Sequence, residues 1–265
     1  MEELNISDLK KLHVPSRDSH KGQNGKLMVI GGSVLFHAAS LWSLKIASRI
    51  VDMVFYSSVD SNNIIVQKEK EEFMNGIIVP RNKIEHYIDE ADVILIGPGL
   101  PRENGIEKGD DDTKVLTEKL LLKYPNKKWV VDGGSLQVIN PSILPKSSII
   151  TPHKQEFETL FKTLPTFRNA FDMAKQYKIT ILLKGENDYV SDNLKIIEIG
   201  GGNAGMTKGG TGDVLAGLVA ALYCKNDAFL SASCGSYINK KAGESLYKKV
   251  GFYFTSNLNY IDDET

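Results

Sequence analysis

The chain has 265 residues, 42% of them apolar and 25% charged, enough to bury a large core and too balanced for a disordered or fibrous protein. Lysine and arginine number 32 against 33 aspartate and glutamate, so no global basic field argues for nucleic acid or an anionic membrane. Cys224 and Cys234 make no disulfide framework, Met1 to Ser19 is too polar for a signal peptide, and the longest apolar run, Val214 to Cys224, is too short to span a bilayer, so a cytoplasmic protein is expected.

Ser7 to Leu12 is a short helix candidate, followed by the polar stretch Arg17 to Gly25. Lys26-Leu-Met-Val-Ile30 is a compact apolar run closed by Gly31-Gly32-Ser33, the pattern of a buried parallel strand. Ala38 to Val51 has helical spacing, and Met53 to Ser57 reads as the next strand. Ile64 to Val66 and Gly76 to Val79 are weaker strand candidates on either side of Lys68 to Glu72, a charge run that reads as a solvated face. Asp92 to Ile96 is a buried strand ended by Gly97-Pro-Gly-Leu100. Glu103 to Asp112 reads as exposed loop, Thr113 to Tyr124 as helix, and Lys128 to Asp132 as a strand ended by Gly133-Gly134.

Ser147 to Ile150 leads into Thr151-Pro152, which predicts an N-cap followed by proline at the first helical position. Phe167 to Tyr177 is helical and Ile179 to Lys184 is a strand. Asp188 to Val190 and Leu194 to Ile199 flank Ser191-Asp-Asn193 as a hairpin, and one or two helices fill Ala228 to Lys249. Strand, small-residue turn and helix alternate throughout, which predicts an α/β fold with a mainly parallel central sheet and helices on both faces. No repeat or composition break divides the chain, so residues 1–265 are expected to form one domain. Ligands of such sheets sit beyond the carboxyl ends of the strands. Gly31, Gly97, Asp132, Thr151, Lys184 and Gly200 each follow a predicted strand, so one cleft collects them.

The densest chemical signal is the glycine-rich run from Gly200 to Asp213, which enters an apolar helix at Val214. Free N–H groups at a helix start, approached closely through glycines, hold phosphate. Asp213 is a poor phosphate ligand there but a suitable base for a hydroxyl that attacks phosphorus; an ordinary Asp cap after a flexible loop is the simpler alternative. Neither a Walker A motif nor a Rossmann fingerprint is present, and the scattered histidines leave zinc unsupported. In Thr151-Pro-His-Lys-Gln-Glu156, His153 at a helix start is expected to be neutral, and Glu156 is placed to orient water on a nucleotide-bound Mg²⁺. A capped surface helix explains the same residues. Lys184-Gly-Glu-Asn-Asp188 is either a nucleotide clamp or an ordinary β-turn, and Asn203 and Lys208 are polar loop residues within reach of a ligand.

Taken together, His20-Lys-Gly22, Val29-Ile-Gly-Gly-Ser33, Ile96-Gly-Pro-Gly-Leu100, Thr151-Pro-His153, Leu183-Lys-Gly185, Asn203-Ala-Gly-Met206 and Gly209-Gly-Thr-Gly-Asp-Val-Leu-Ala-Gly217 resemble the signatures of the ATP/ADP-dependent NAD(P)H-hydrate dehydratases. These form a branch of the ribokinase-like superfamily, and the resemblance runs nearly end to end. It implies a three-layer α/β/α fold and a metabolite-repair reaction. ATP or ADP phosphorylates the ring hydroxyl of hydrated NADH or NADPH, and elimination of phosphate regenerates the reduced nicotinamide.

By the same resemblance Asp213 is the base, and the amides of Gly209, Gly210, Thr211 and Gly212 stabilise the transferred charge. Ala39, Gly99, His153, Asn203 and Asp213 line the hydrate pocket. Lys184, Gly185, Glu186, Asn187, Asp188, Gly209 and Gly212 hold the nucleotide, and Glu156 takes the place of the Mg²⁺-associated acid. The resemblance further implies a homo-oligomer such as a tetramer; the epimerase domain that often precedes this module in the family is not expected here, so the chain would be the dehydratase alone. The chain departs from the family pattern at Asp132-Gly-Gly-Ser-Leu136, which lacks a second acid, and at Ala38, Ser40, Pro101 and Gln155. A kinase of a vitamin precursor such as a hydroxymethylpyrimidine or hydroxyethylthiazole shares the Gly-Thr-Gly-Asp logic, and the altered turns suggest a non-catalytic nucleotide-binding protein as a third reading. Asn203-Ala-Gly-Met206 and Thr151-Pro-His153 favour the dehydratase.

Overall fold

The computed structural model of the protein describes residues 2–4, 6–69 and 75–253. The first half holds β1 (Glu2–Glu3), β2 (Lys26–Ile30), α1 (His37–Ala47), β3 (Met53–Ser57), α2 (Asp60–Glu69), β4 (Ile77–Ile78), α3 (Ile84–Glu90), β5 (Val93–Ile96), α4 (Thr113–Lys123) and β6 (Lys128–Val131). The second half continues with α5 (Gly133–Val138), β7 (Ile149–Ile150), α6 (Lys154–Phe161), α7 (Phe167–Tyr177), β8 (Thr180–Leu183), β9 (Asp188–Ser191), β10 (Ile196–Ile199), α8 (Thr211–Tyr223) and α9 (Ala228–Val250).

The strands form one sheet in the order β1-β10-β9-β8-β7-β6-β5-β2-β3-β4. All pairings are parallel except those of β9 with its two neighbours, β8 and β10. Because β9 reverses the chain twice, β10 points the same way as β8. The carboxyl ends of β2, β5, β6, β7, β8 and β10 therefore share one edge, and the six residues expected to follow strands all do so.

The apolar strands are continuous because both faces are covered, and alternate side chains go to opposite layers. Met28, Ile30, Ile94, Ile96 and Val131 pack with Ile88 of α3, Leu120 of α4, Leu136 of α5, Phe157 of α6 and Ala170 of α7. Leu27, Val29, Val93, Leu95 and Val130 pack with Leu44 of α1, Val66 of α2, Leu215 and Val219 of α8 and Ala232 of α9. This is the expected three-layer arrangement. Within the second layer α1 and α8 lie close, since a Cβ at Gly217 would come within 2.7 Å of Ser43 and Ile46.

Three local expectations are corrected. Ile64 to Val66 is helical, inside α2, because Asn62 and Asn63 at its start bond back to the end of β3: Ser58 N–H donates to Asn63 Oδ1 at 3.1 Å and Asn62 Nδ2 donates to Ser58 Oγ at 2.8 Å. Thr151 is not the cap of α6; its N–H still pairs with Val131 O, and the cap is His153, with Pro152 outside the helix. Gly133-Gly134 does not merely end a strand but opens α5. The charge run Lys68 to Glu72 begins at the end of α2 and then lies outside the described residues. The first helix candidate is a 3-10 turn, Ile6–Lys11, and the last helical stretch is the single helix α9.

Candidate active site at the carboxyl edge of the sheet

The glycine run ends as a helix start. Gly210 is the N-cap of α8 with φ of +99°, and a Cβ on it would overlap the indole of Trp42 from α1, so this position excludes other residues. No side chain caps the helix, and apart from the Thr211 N–H, which donates to Lys208 O at 3.4 Å, its first amides are left to a ligand. Asp213, half-buried on the first turn, is held from behind: Ser43 Oγ of α1 donates to its carbonyl at 2.7 Å. Burial and the nearby Asp132 charge push its carboxyl up to about 7, against the opposing Lys184 ammonium. Asp213 therefore exchanges its proton near neutral pH, which suits a general base.

A charged cluster lies beside it, at the ends of β6, β7 and β8. Asp132, 3% exposed, accepts at Oδ1 from Thr151 Oγ1 at 2.7 Å and from Lys184 Nζ at 2.9 Å. Lys184 Nζ also lies 3.9 Å from Glu156 Oε2, and a Cβ on Gly212 would be 3.4 Å from that same nitrogen. The ammonium thus sits between the start of α8 and two carboxylates. Burial alone would lower the Lys184 pKa, but Asp132 and Glu156 outweigh it and raise it.

Glu156 forms a capping box with His153. The His153 N–H donates to Oε2 at 2.9 Å, and the Glu156 N–H donates to His153 Nδ1 at 3.2 Å. Burial, then the neighbouring Lys184, lowers the His153 pKa, so the imidazole is neutral as its place at a helix start suggests. Burial raises the Glu156 carboxyl, with Lys184 opposing and Asp132 adding to the rise.

A cavity of about 640 Å³ opens next to this cluster. Lys184, Gly185, Glu186, Asn187, Asp188 and Gly212, all assigned to the nucleotide from the sequence, line it. The turn is fastened from below: Gly185 N–H donates to Asp188 Oδ1 at 2.9 Å, and Ser236 Oγ of α9 donates to Asp188 Oδ2 at 2.7 Å. Lys240, 4% exposed on α9, donates to Glu186 O at 2.7 Å and pairs with Asp188 Oδ1 at 3.6 Å.

Asn203 lines the same cavity rather than a separate one, and both ends of its amide are engaged, by Gly205 N–H and Gly243 O. Lys208 Nζ donates to Phe252 O at 3.2 Å. Gly99 and Ala39 lie together, since a Cβ on Gly99, whose φ is +72°, would come within 3.0 Å of Ala39 Cβ and 2.8 Å of Phe36 O. They belong to the turn after β5 and the first turn of α1. Gly209 does not line the cavity.

Sequence reasoning collected Asp132 and Lys184 at the cleft and gave Lys184 to the nucleotide, but it missed the ion pair between them and the part played by Lys240. Asp132 carried one usable signal, an acid directly after a buried strand. The contact between Asp132 and Lys184 spans 52 residues and had no local signature. Among the described residues no group of three or more His, Cys, Asp or Glu side chains could hold a metal alone, and no helix is long and apolar enough to cross a membrane.

The chain is similar to several known proteins. The chain is 40% identical over 259 residues to the bifunctional NAD(P)H-hydrate repair enzyme Nnr of Methanocaldococcus jannaschii, covering 94% of this chain and 49% of that one, so it spans about half the length of that relative. It is 31% identical to the ADP-dependent (S)-NAD(P)H-hydrate dehydratase of Nitrosopumilus maritimus, over 94% of this chain and 91% of that one. In structure it resembles a ribokinase-like superfamily protein of Enterococcus faecalis, with TM-score 0.83 at 22% identity over 96% and 90% of the two chains. The ADP/ATP-dependent NAD(P)H-hydrate dehydratase of Bacillus subtilis, co-crystallised with ATP/Mg²⁺, gives TM-score 0.73 at 20% identity over 94% and 89%. A family profile described as NAD(P)H-hydrate dehydratase matches residues 27–263, and with the glycine-loop aspartate and its cleft in place the chain belongs to that family.

Proposed function

We propose that this chain dehydrates hydrated NADH or NADPH at the expense of ADP or ATP. The observation that carries the reading is the start of α8, where uncapped amides and a carboxyl raised to about 7 adjoin a nucleotide-sized cavity. Asp213 takes the proton of the ring hydroxyl as its oxygen forms a bond to the terminal phosphorus of the nucleotide. The bond from that phosphorus to the bridging oxygen breaks, and the shortened nucleotide leaves. Phosphate then departs from the ring carbon with loss of a ring proton, and the ring double bond is restored.

The amides of Gly210, Thr211 and Gly212 face the charge that builds on the transferred group, with the Lys184 ammonium adjacent. Lys184 to Asp188 hold the nucleotide together with Gly212, and Gly209 lies in the loop that leads into the helix start. Ala39, Gly99 and His153 line the hydrate pocket, and Asn203 braces the loop between the two ligands.

Mg²⁺ fits the donor set. Glu156 and Asp132 offer hard oxygen ligands, and with Asp213 they outnumber the Lys184 ammonium among them; burial first, and then the Asp132 charge, raises the Glu156 and Asp213 carboxyls. Since the described residues make no complete metal cage, the ion would be shared with the nucleotide phosphates, with Glu156 holding it through water. When bound, it neutralises phosphate charge.

Purified protein, hydrated NADH, Mg²⁺ and either ADP or ATP test the reading. Return of reduced-nicotinamide absorbance that depends on one nucleotide is expected, and none with either donor in nucleotide-binding protein would contradict it. We infer a homo-oligomer in the cytoplasm from the family likeness, and sedimentation of the purified chain tests the assembly.

A further inference from the structure

The residues so far assigned to the hydrate pocket accommodate the reacting ring but provide nothing for the rest of a dinucleotide. That remainder has two recognisable parts, a doubly anionic pyrophosphate and a planar adenine. Hydration leaves the nicotinamide ring with a tetrahedral carbon, so adenine is the ligand's flat aromatic face.

Two residues close to Gly99, one through its backbone and one along the chain, match those parts. Phe36, the residue before α1, is 56% exposed, and its carbonyl lies 2.8 Å from where a Cβ on Gly99 would be. Its backbone is fixed, since Ser33 Oγ accepts from the Phe36 N–H at 3.1 Å and Asp110 Oδ1 accepts from the Val34 N–H at 2.7 Å. Among the described residues no ring or cation packs on its phenyl face.

Arg102, three residues past Gly99, is exposed and forms no ion pair among the described residues. Its strand-exit turn is anchored where Thr113 Oγ1 donates to Pro101 O at 2.6 Å. The loop that follows is acidic, yet its aspartates are already engaged. Asp110 accepts from the Val34 and Glu107 amides, Asp111 pairs with Arg81 at 2.7 Å, and Asp112 caps α4 through the Val115 N–H. The guanidinium is near enough to His153 and Glu156 to act on both in the lowering direction.

We propose that Phe36 and Arg102 form the outer half of the dinucleotide site, Phe36 stacking on adenine and Arg102 binding the pyrophosphate. The proposal rests on the dehydratase reading for its ligand, but its test does not need turnover. An exposed aromatic face gains most from a planar ring, and an arginine fork suits paired phosphate oxygens.

The test measures binding of NADH, reduced nicotinamide mononucleotide and ADP to the wild type and to Phe36→Ala, Phe36→Trp, Arg102→Gln and Arg102→Lys. Phe36→Ala is expected to weaken NADH about tenfold and leave the mononucleotide unchanged, with Phe36→Trp restoring NADH affinity. Arg102→Gln is expected to weaken both reduced nucleotides about tenfold and flatten the salt dependence of binding, with Arg102→Lys recovering part of the loss. Unchanged NADH affinity in both folded variants would overturn the proposal, as would equal losses for ADP, or a wild type that binds no NADH. A wild type that binds NADH through these residues but recovers no hydrate would sustain the subsite and refute the activity.

Discussion

α6 and α8 both begin at the carboxyl edge of the sheet, a few side chains apart, and they treat their first turns in opposite ways. The start of α6 is closed by the His153–Glu156 capping box, which satisfies the amides of those two residues internally. The start of α8 has a glycine in a left-handed conformation, no capping side chain and a cavity in front of it. Satisfied amides position side chains; unsatisfied ones bind anions. Lys184 joins the two, with Nζ 3.9 Å from Glu156 of α6 and against Gly212 of α8.

Removing that link has the largest expected effect. Lys184→Met leaves Asp132 and Glu156 facing each other without a counter-ion, at a cost of about 3–5 kcal/mol in a urea titration. A loss below about 1 kcal/mol would mean that the pair is solvent-screened and joins nothing. Gly212→Val fills the open helix start. Nucleotide affinity is expected to fall about 100-fold, roughly 2.7 kcal/mol, while the fold persists. Wild-type affinity in that variant would show that the phosphate binds elsewhere.

The pH profile comes next. The raised Asp213 carboxyl must be ionised to act as a base, so kcat/KM is expected to rise with pH through about 7 and level off above it, falling about tenfold per unit on the acid side. Asp132→Asn removes a charge that raises this group, and shifts the acid limb to lower pH. A limb near the ordinary carboxylate range in the wild type would contradict the assigned environment. The smallest effect is expected from opening the closed helix: His153→Ala removes the cap of α6 and costs about 0.5–2 kcal/mol of stability. No change in stability would mean that the box contributes nothing to the fold.

The sheet edge was legible because strands buried on both faces are written as unbroken apolar runs, and the glycines after them mark where the chain turns. The α8 start was legible because phosphate chemistry needs closely spaced glycines followed by an apolar helix. Thr151-Pro152 misled by two residues, since a threonine hydroxyl can cap a helix or, as here, serve a buried acid at the end of the preceding, neighbouring strand. Ile64-Ile-Val66 carried the β-branched signature of a strand, yet the paired asparagines before it turned the chain into α2. The pairing of Asp132 with Lys184 stayed hidden because the two follow strands separated by β7, a relation that exists only once the sheet order is known.

The most direct test of the account is a paired measurement on Asp213→Asn and the wild type, reading nucleotide affinity and the recovery of reduced nicotinamide from its hydrate. The account predicts retained affinity with recovery slowed about 10²–10⁴-fold, because the amides of α8 remain while the base is gone. Recovery at the wild-type rate with the asparagine in place would contradict it, and the open start of α8 would then hold a phosphate without taking part in its transfer.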